Sequence, residues 1–326
     1  MKILVAPLNW GLGHATRCVP LIDKWLQEGH EVVLGGDGDS LIWLYRHFPS
    51  LRFVELAPLD LRYSRSKSQV GAMLRALPKL IRFSWMDHVL VNRLVEQEHF
   101  DLIVSDNRFG LWTKKVKSVY LTHQLTIALP RFWRWLEPLV RGLHKRVYSH
   151  YNEVWVPDYE DEDKSLAGRL SHPKRLPKQV QYIGPLSRFE KVERPLRSKT
   201  KEERQTKYHT VCVLSGLEPQ RSILEEELLT RYNNSKESVL IVRGKVTDPY
   251  VMLQHRKISL VPWLKDEALA QALQQAEHII CRSGYSSVMD MQVLGVSDRT
   301  EWIPTPGQPE QEYLATRLSL KREVGQ

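Results

Sequence analysis

Residues 279–315 read IICRSGYSSVMDMQVLGVSDRTEWIPTPGQPEQEYLA, and this stretch decides the fold class. An apolar strand over 278–281 runs into Ser283 and Gly284, a helical pattern opens directly behind it, and Asp290 falls six positions after the glycine. A glycine at that entry lets the backbone N–H groups of the helix start come close to a phosphate, and the positive end of the helix dipole favours the anion. The carboxylate about two turns on is then within reach of a sugar diol. A second strand over 302–304 ends in Pro304-Thr305-Pro306-Gly307, and the loop behind it carries Gln308, Glu310, Gln311 and Glu312. Together these features outline a nucleotide-sugar site.

Outward from that stretch, short β-branched runs alternate with helical patterns, as in parallel sheets with crossover helices. Strands are predicted at 3–7, 31–34, 52–56, 101–105, 118–122, 153–156 and 181–184, then at 209–215, 239–243, 258–261, 278–281 and 302–304. The rhythm breaks at SRFEKVERPLRSKTKEERQTKY, residues 187–208, a charged and turn-rich linker. The expected architecture is α/β: a doubly wound, Rossmann-like domain over 1–186, the linker over 187–208 and a second such domain over 209–326. Ligands of such sheets bind beyond the carboxyl ends of the strands, here in a cleft between the domains.

The 326 residues suffice for two such cores, and 42% hydrophobic with 26% charged residues describes an ordinary globular chain. No apolar run approaches the roughly 20 residues of a membrane helix. The opening MKILVAPLNW reads as a strand rather than a signal peptide, so a cytoplasmic location is expected. Cys18, Cys212 and Cys281 are odd in number and widely spaced, which points to buried small hydrophobes rather than a disulfide framework or zinc site. No metal and no cofactor are expected. The net charge of +9, from 47 Lys and Arg against 38 Asp and Glu, favours phosphate-bearing partners. No zinc-finger, RNP or helix-turn-helix pattern accompanies it, so nucleic acid is not an expected partner.

The first strand ends in Asn9-Trp10-Gly11-Leu12-Gly13-His14-Ala15-Thr16-Arg17, ahead of a helical pattern over 19–27. Gly11 and Gly13 suit a tight, anion-facing turn with exposed N–H groups. A dinucleotide fingerprint fits poorly, because the third glycine position holds Thr16 and no ribose-binding acid is clearly placed; a purely structural βα turn is the other alternative. His14 at the helix start is a candidate base. Asp106, after DLIVS, and His123, after SVYLT, join it as candidate catalytic residues at strand ends, where Asp and His also cap helices. In the second half, Ser215 and Gly216 with Arg221 form another anion-facing turn before a helix over 222–229. Trp263, before Leu264, is either a site residue or a core tryptophan. Residues 73–85 (MLRALPKLIRFSW) and 131–148 (RFWRWLEPLVRGLHKRVY) interleave bases with apolar bulk. A helix lying on an anionic bilayer has this pattern, and so does a core-facing helix with a solvated face.

In order and spacing these motifs resemble the GT-B glycosyltransferases of the family 28 type, which include the peptidoglycan UDP-N-acetylglucosamine transferase, and the likeness spans most of the chain. The resemblance implies an inverting, metal-independent transfer of a hexose-type sugar from a nucleotide diphosphate sugar, UDP-linked. The acceptor would be lipid-linked or otherwise hydrophobic, and the protein peripheral on the inner face of an anionic membrane. Carried over residue by residue, Ser283 and Gly284 would hold the diphosphate, Asp290 the ribose hydroxyls, and Gln311, with Glu312 beside it, the donor sugar. Leu264 would present its backbone to the base, Arg188 would reach the phosphates, and His14 would lie near the reaction centre. The polar text VSDRTEW after Gly295 and the short run beyond Gln311 imply a C-terminal half shorter than the family's. The rival readings are a sugar-nucleotide epimerase, which shares the two-domain plan, and a catalytically idle nucleotide-sugar-binding protein.

Overall fold

Mainly aliphatic runs buried along nearly their whole length make the central strands. A computed structural model of the chain describes residues 1–59, 70–192 and 207–324, which divide after Leu186 into two compact units. In the first, β1 (Lys2–Pro7), β2 (Glu31–Gly36), β3 (Arg52–Glu55), β4 (Leu102–Asp106), β5 (Lys117–Leu121), β6 (Glu153–Val156) and β7 (Val180–Tyr182) form one sheet in the order β3-β2-β1-β4-β5-β6-β7. All its pairings are parallel. Ile3, Leu4, Val5 and Ala6 of β1 are wholly buried, as a parallel strand covered by helices on both faces requires. Those helices are α1 (Gly13–Gln27), α2 (Gly38–His47), α3 (Val70–Gln97) and α4 (Glu137–Tyr148). α1 turns Ala15, Cys18, Val19, Ile22 and Trp25 inward, a stripe at helical spacing. In the register of the three central strands Pro7 lies opposite Asp106, and Asp106 opposite Leu121, so these residues share one carboxyl edge.

The second unit holds β8 (Thr210–Val213), β9 (Val239–Val242), β10 (Leu253–His255), β11 (Ile258–Val261), β12 (His278–Arg282) and β13 (Thr300–Ile303) in the order β10-β11-β9-β8-β12-β13. Its helices are α5 (Gln220–Tyr232), α6 (Asp266–Gln275), α7 (Tyr285–Leu294) and α8 (Pro309–Val324). The edge strand β10 runs antiparallel and was not expected, because Leu253, Gln254 and His255 are all exposed and carry no apolar alternation. α7 ends on Gly295 in the left-handed conformation (φ 69°), and a short 3-10 turn over Ser297–Arg299 takes up the polar residues before β13. Residues 187–192 of the expected linker pack with this unit, since Phe189 is buried in its core beside Val211 and Leu240. Linker residues 193–206 lie outside the described residues.

The two basic, apolar stretches are helical and partly unburied. On α3, Leu77, Ile81 and Trp85 are exposed at successive turns, while Phe83 points inward; the side chains of 73–76 lie outside the description. Phe132 (90% exposed) and Trp135 (72%) on a 3-10 turn over Arg131–Leu136, with Leu139 and Leu143 on α4, face solvent, while His144 and Tyr148 are buried. A core-facing explanation therefore fails for these side chains. Among the described residues no helix is long and apolar enough to cross a membrane.

Candidate active site

At the carboxyl edge of the first sheet the chain leaves β1 through a turn in which Gly11 has φ 82°, a conformation that costs glycine nothing and other residues strain. α1 begins at Gly13, so His14 and Arg17 stand on its first turn, three apart and on one face. Both reach Asp106 at the end of β4. His14 Nδ1 lies 2.8 Å from Asp106 Oδ1, and Arg17 Nε donates to Asp106 Oδ2 at 2.6 Å. Arg17 Nη2 donates to Oδ1 as well. Arg17 Nη1 lies 3.1 Å from His123 Nδ1, two residues beyond β5.

Asp106 and Arg17 are buried, whereas the His14 side chain keeps 16% of its surface exposed. Burial alone would push the Asp106 carboxyl up, but the Arg17 guanidinium and His14 beside it hold it down at about 2. Asp106 is therefore a carboxylate at neutral pH, sealed from a ligand and placed to orient His14 rather than to act as a base itself. A carboxylate only accepts, so the proton between Asp106 and His14 sits on Nδ1, and in the neutral ring Nε2 then carries the lone pair. Cys18 is buried beside Asp106 and its thiol is pushed well up, chiefly by burial, which leaves it no nucleophilic use.

In the second unit the turns after β8, β12 and β13 meet at one edge. Gly284 caps α7, and a Cβ built on it would meet nothing within 4 Å, so space lies open in front of the helix start. Its φ of −70° does not require glycine either. Gly216 follows Ser215 beyond β8 with φ 96°, and is likewise open. The polar side chains around them are engaged with protein. Ser283 Oγ donates to Gln311 O at 2.8 Å, while Gln311 Oε1 accepts from Thr305 N and Glu312 Oε1 from Gly307 N. Arg221 binds Glu218 and the Gly244 carbonyl rather than an open anion position. Arg188 lies 3.1 Å from Asp266 and 3.6 Å from Asp290, within its own unit. Asp290 is buried, accepts from Ser187 Oγ at 2.6 Å, and is raised to about 6 by burial against the pull of Arg188. The expected ribose and phosphate ligands Asp290, Arg188 and Arg221 are thus committed to one another or to neighbours, because each has an opposite charge within its own unit. Trp263 is half-buried, donates Nε1 to Asp248 O at 3.3 Å and meets Tyr250 edge-on, and the Leu264 side chain packs on the core.

Two arginines escaped notice in the sequence. Arg17 closes the quoted turn from Asn9 but gets no role of its own from the sequence; its three-residue spacing from His14 was the available signal. Arg282, the last residue of β12, is buried (3% exposed) and donates to Pro304 O and Gln220 O, tying the turn after β13 to the start of α5. Among the described residues it has no carboxylate partner and its Nε no acceptor; burial pulls its pKa down. It is a buried cation directly before Ser283 and Gly284, with the charge of Glu227 partly offsetting its burial. Among the described residues no group of three or more His, Cys, Asp or Glu could hold a metal ion.

No family model matches the chain. Over 96% of its length it is 25% identical to a protein described as an uncharacterized glycosyltransferase of Methanosarcina acetivorans, 82% of which is covered. Among solved structures, CalG4, the calicheamicin glycosyltransferase, matches with a TM-score of 0.59 at 12% identity, over 98% of this chain and 84% of that one. MurG of Acinetobacter baumannii matches at 0.52 and 13%, over 98% and 83%. A putative UDP-N-acetylglucosamine 2-epimerase from Listeria monocytogenes matches at 0.54 and 11%, over 99% and 89%. At such identities the likeness speaks for the fold: the chain has the GT-B architecture, two Rossmann-like domains each built on a parallel sheet.

Proposed function

We propose that the chain is an inverting glycosyltransferase of hexosyltransferase type that takes its sugar from a nucleotide diphosphate sugar, UDP-linked, and passes it to a lipid-linked or other hydrophobic acceptor. The observation that carries this reading is the His14–Asp106 pair at the carboxyl edge of a GT-B first domain. Similarity along 96% of the chain to a protein described as a glycosyltransferase supports it.

The reaction is a direct displacement. His14 Nε2 takes the proton of the acceptor hydroxyl, the freed oxygen attacks the anomeric carbon, and the bond from that carbon to the diphosphate breaks with its electron pair leaving on the diphosphate. Asp106 holds the imidazole in the tautomer that can accept and stabilises the imidazolium that forms. The leaving charge is met by backbone N–H groups at the start of α7 in front of Gly284, with Arg282 beneath them. As proposed, no bound metal or cofactor takes part. The exposed Phe132, Trp135, Leu139 and Leu143 beside Arg131, Arg134, Arg141 and Lys145 favour a hydrophobic acceptor and a peripheral position on the inner face of an anionic membrane.

The test is incubation with a panel of UDP-sugars, with and without membrane lipid extract and in excess EDTA, following release of UDP and the fate of the sugar. Lipid-dependent release of UDP that survives the chelator is expected. Conversion of the nucleotide sugar to an isomer without lipid would instead mark an epimerase, and tight binding without turnover an idle binding protein.

A further inference from the structure

His14 and His123 flank the same guanidinium, and their ring nitrogens are held differently. Arg17 has five N–H donors and no acceptor capacity. Its Nε and Nη2 are spent on Asp106, whose Oδ1 also receives the proton from His14 Nδ1. Nη2 also approaches His14 Nδ1 at 2.9 Å. Seen from Nη2, however, Asp106 Oδ1 and His14 Nδ1 lie much closer in direction than the two N–H bonds of a guanidinium nitrogen, so one N–H serves the carboxylate and the other points elsewhere. The charged acceptor wins, and His14 carries its proton on Nδ1.

His123 meets the other arm. Nη1 lies 3.1 Å from its Nδ1, and since arginine can only donate, that nitrogen accepts. The ring then carries its proton on Nε2. Gln124, whose side-chain amide lies 3.5 Å from Nε2, meets that N–H with its oxygen once the amide is turned by a half-rotation. His123 is buried (4% exposed), and this arrangement leaves no lone pair on its outer nitrogen.

We infer that Arg17 sets the two histidines in opposite tautomers, so that only His14 presents a proton acceptor, while the His123 Nε2–H is held by the Gln124 amide oxygen. Arg17 is thus a positioning residue for both rings, holding His14 through Asp106 and His123 directly. His123 cannot take over the base role that sequence position alone allowed it. The use of this arrangement rests on the transferase reading, but its detection does not, because the tautomers are set in the unliganded protein.

The experiment is imidazole ¹⁵N NMR on the uniformly labelled full chain at pH 7.5, with the rings assigned by the loss of single signals in His14→Ala and His123→Ala. The expected spectrum of the unmutated protein shows the Nδ1–H form for His14 and the Nε2–H form for His123. The same tautomer at both rings, a mixture at His123, or a doubly protonated His123 overturns the inference. In Arg17→Gln, His123 is expected to relax to a tautomer mixture while Asp106 keeps His14 as Nδ1–H. A His123 tautomer unchanged in a folded Arg17→Gln protein would remove Arg17 from the role. The spectrum of the unmutated chain decides the tautomers even if that variant does not fold. Loss of all transfer activity alongside the expected spectrum would count against the transferase reading and leave the tautomers standing.

Discussion

Asp106 and Asp290 are both buried aspartates, one in each Rossmann-like domain, yet the first is held at about 2 and the second is raised to about 6. Burial pushes both upward. The difference lies in the guanidinium each can use. Arg17 grips both oxygens of Asp106, whereas Arg188 stands 3.6 Å from Asp290 and shares itself with Asp266 at 3.1 Å. The first domain thus fixes charged side chains around one histidine before any substrate arrives. The second offers backbone in front of Gly284 and keeps its charged groups occupied with each other, so a nucleotide there would be met mainly by N–H groups until those pairs rearrange.

The comparison breaks most visibly if the histidine is removed. His14→Ala should leave nucleotide affinity within about a factor of three while turnover falls about 10²- to 10⁴-fold, with kcat and kcat/KM dropping together. Near-normal turnover in steady-state kinetics would deny the first domain its chemistry. The second domain should fail in the opposite sense. Gly284→Val places a side chain in open space, so thermal stability should hold. It blocks approach to the helix start, however, and losing charge-assisted bonds worth about 1.5–3 kcal/mol should weaken UDP binding by about 10- to 150-fold in calorimetry. Unchanged affinity would show that the diphosphate does not sit there.

The two carboxylates also set opposite pH dependences of stability. Asp290, raised from 3.8 to about 6, keeps its proton in the folded chain across that window while the unfolded chain has lost it. Folded stability therefore falls as pH rises from about 4 to about 6, by about 3 kcal/mol at most, and is level above. Asp106, lowered to about 2, contributes stability that is present above 3.8 and is lost as the pH falls toward 2. Urea denaturation between pH 4 and 7.5 separates them. Asp290→Asn should match the unmutated chain near pH 4 and exceed it above pH 6, and parallel curves for the two proteins would refute the raised carboxyl.

Strands of the parallel sheets were readable either because burial on both faces leaves a nearly continuous apolar run, as at β11, or because burial alternates, as at β6, and both fall where predicted. β10 was not, since an exposed edge strand of Leu, Gln and His carries no such text. α1 begins at Gly13, six residues before the helical pattern becomes visible at Val19, because Gly13, His14 and Thr16 are weak helix formers held by the turn and the buried network. His14, Asp106 and His123 could each be read as strand-end or turn residues, and Arg17 as the end of the same turn as His14, but sequence order alone does not show that Arg17 joins all three. Sequence order likewise cannot distinguish a polar side chain facing a ligand from one turned back on its own loop, which is how Gln311 and Glu312 end up accepting from Thr305 and Gly307.

The smallest expected effect sharpens the comparison from outside the sheets. Phe132, Trp135, Leu139 and Leu143 lie on the first domain, and the bases of the same stretch, Arg131, Arg134, Arg141, Lys145 and Arg146, outnumber its one acid, Glu137. Glu137 is itself paired with Arg169 at 3.4 Å. An apolar surface rimmed by an excess of cations should bind anionic vesicles, each nearby cation adding about 1 kcal/mol, and release as salt shortens the Debye length below about 10 Å. Sedimentation with phosphatidylglycerol-containing liposomes at low salt should carry the protein down, and neutral liposomes should not. The double substitution Phe132→Ser and Trp135→Ser should lower the bound fraction without moving the urea midpoint, since neither side chain is buried. Equal binding to neutral and anionic vesicles would remove the electrostatic part. Binding unaffected by the double substitution would leave a basic surface without an apolar one, and the hydrophobic acceptor would lose its support in the first domain.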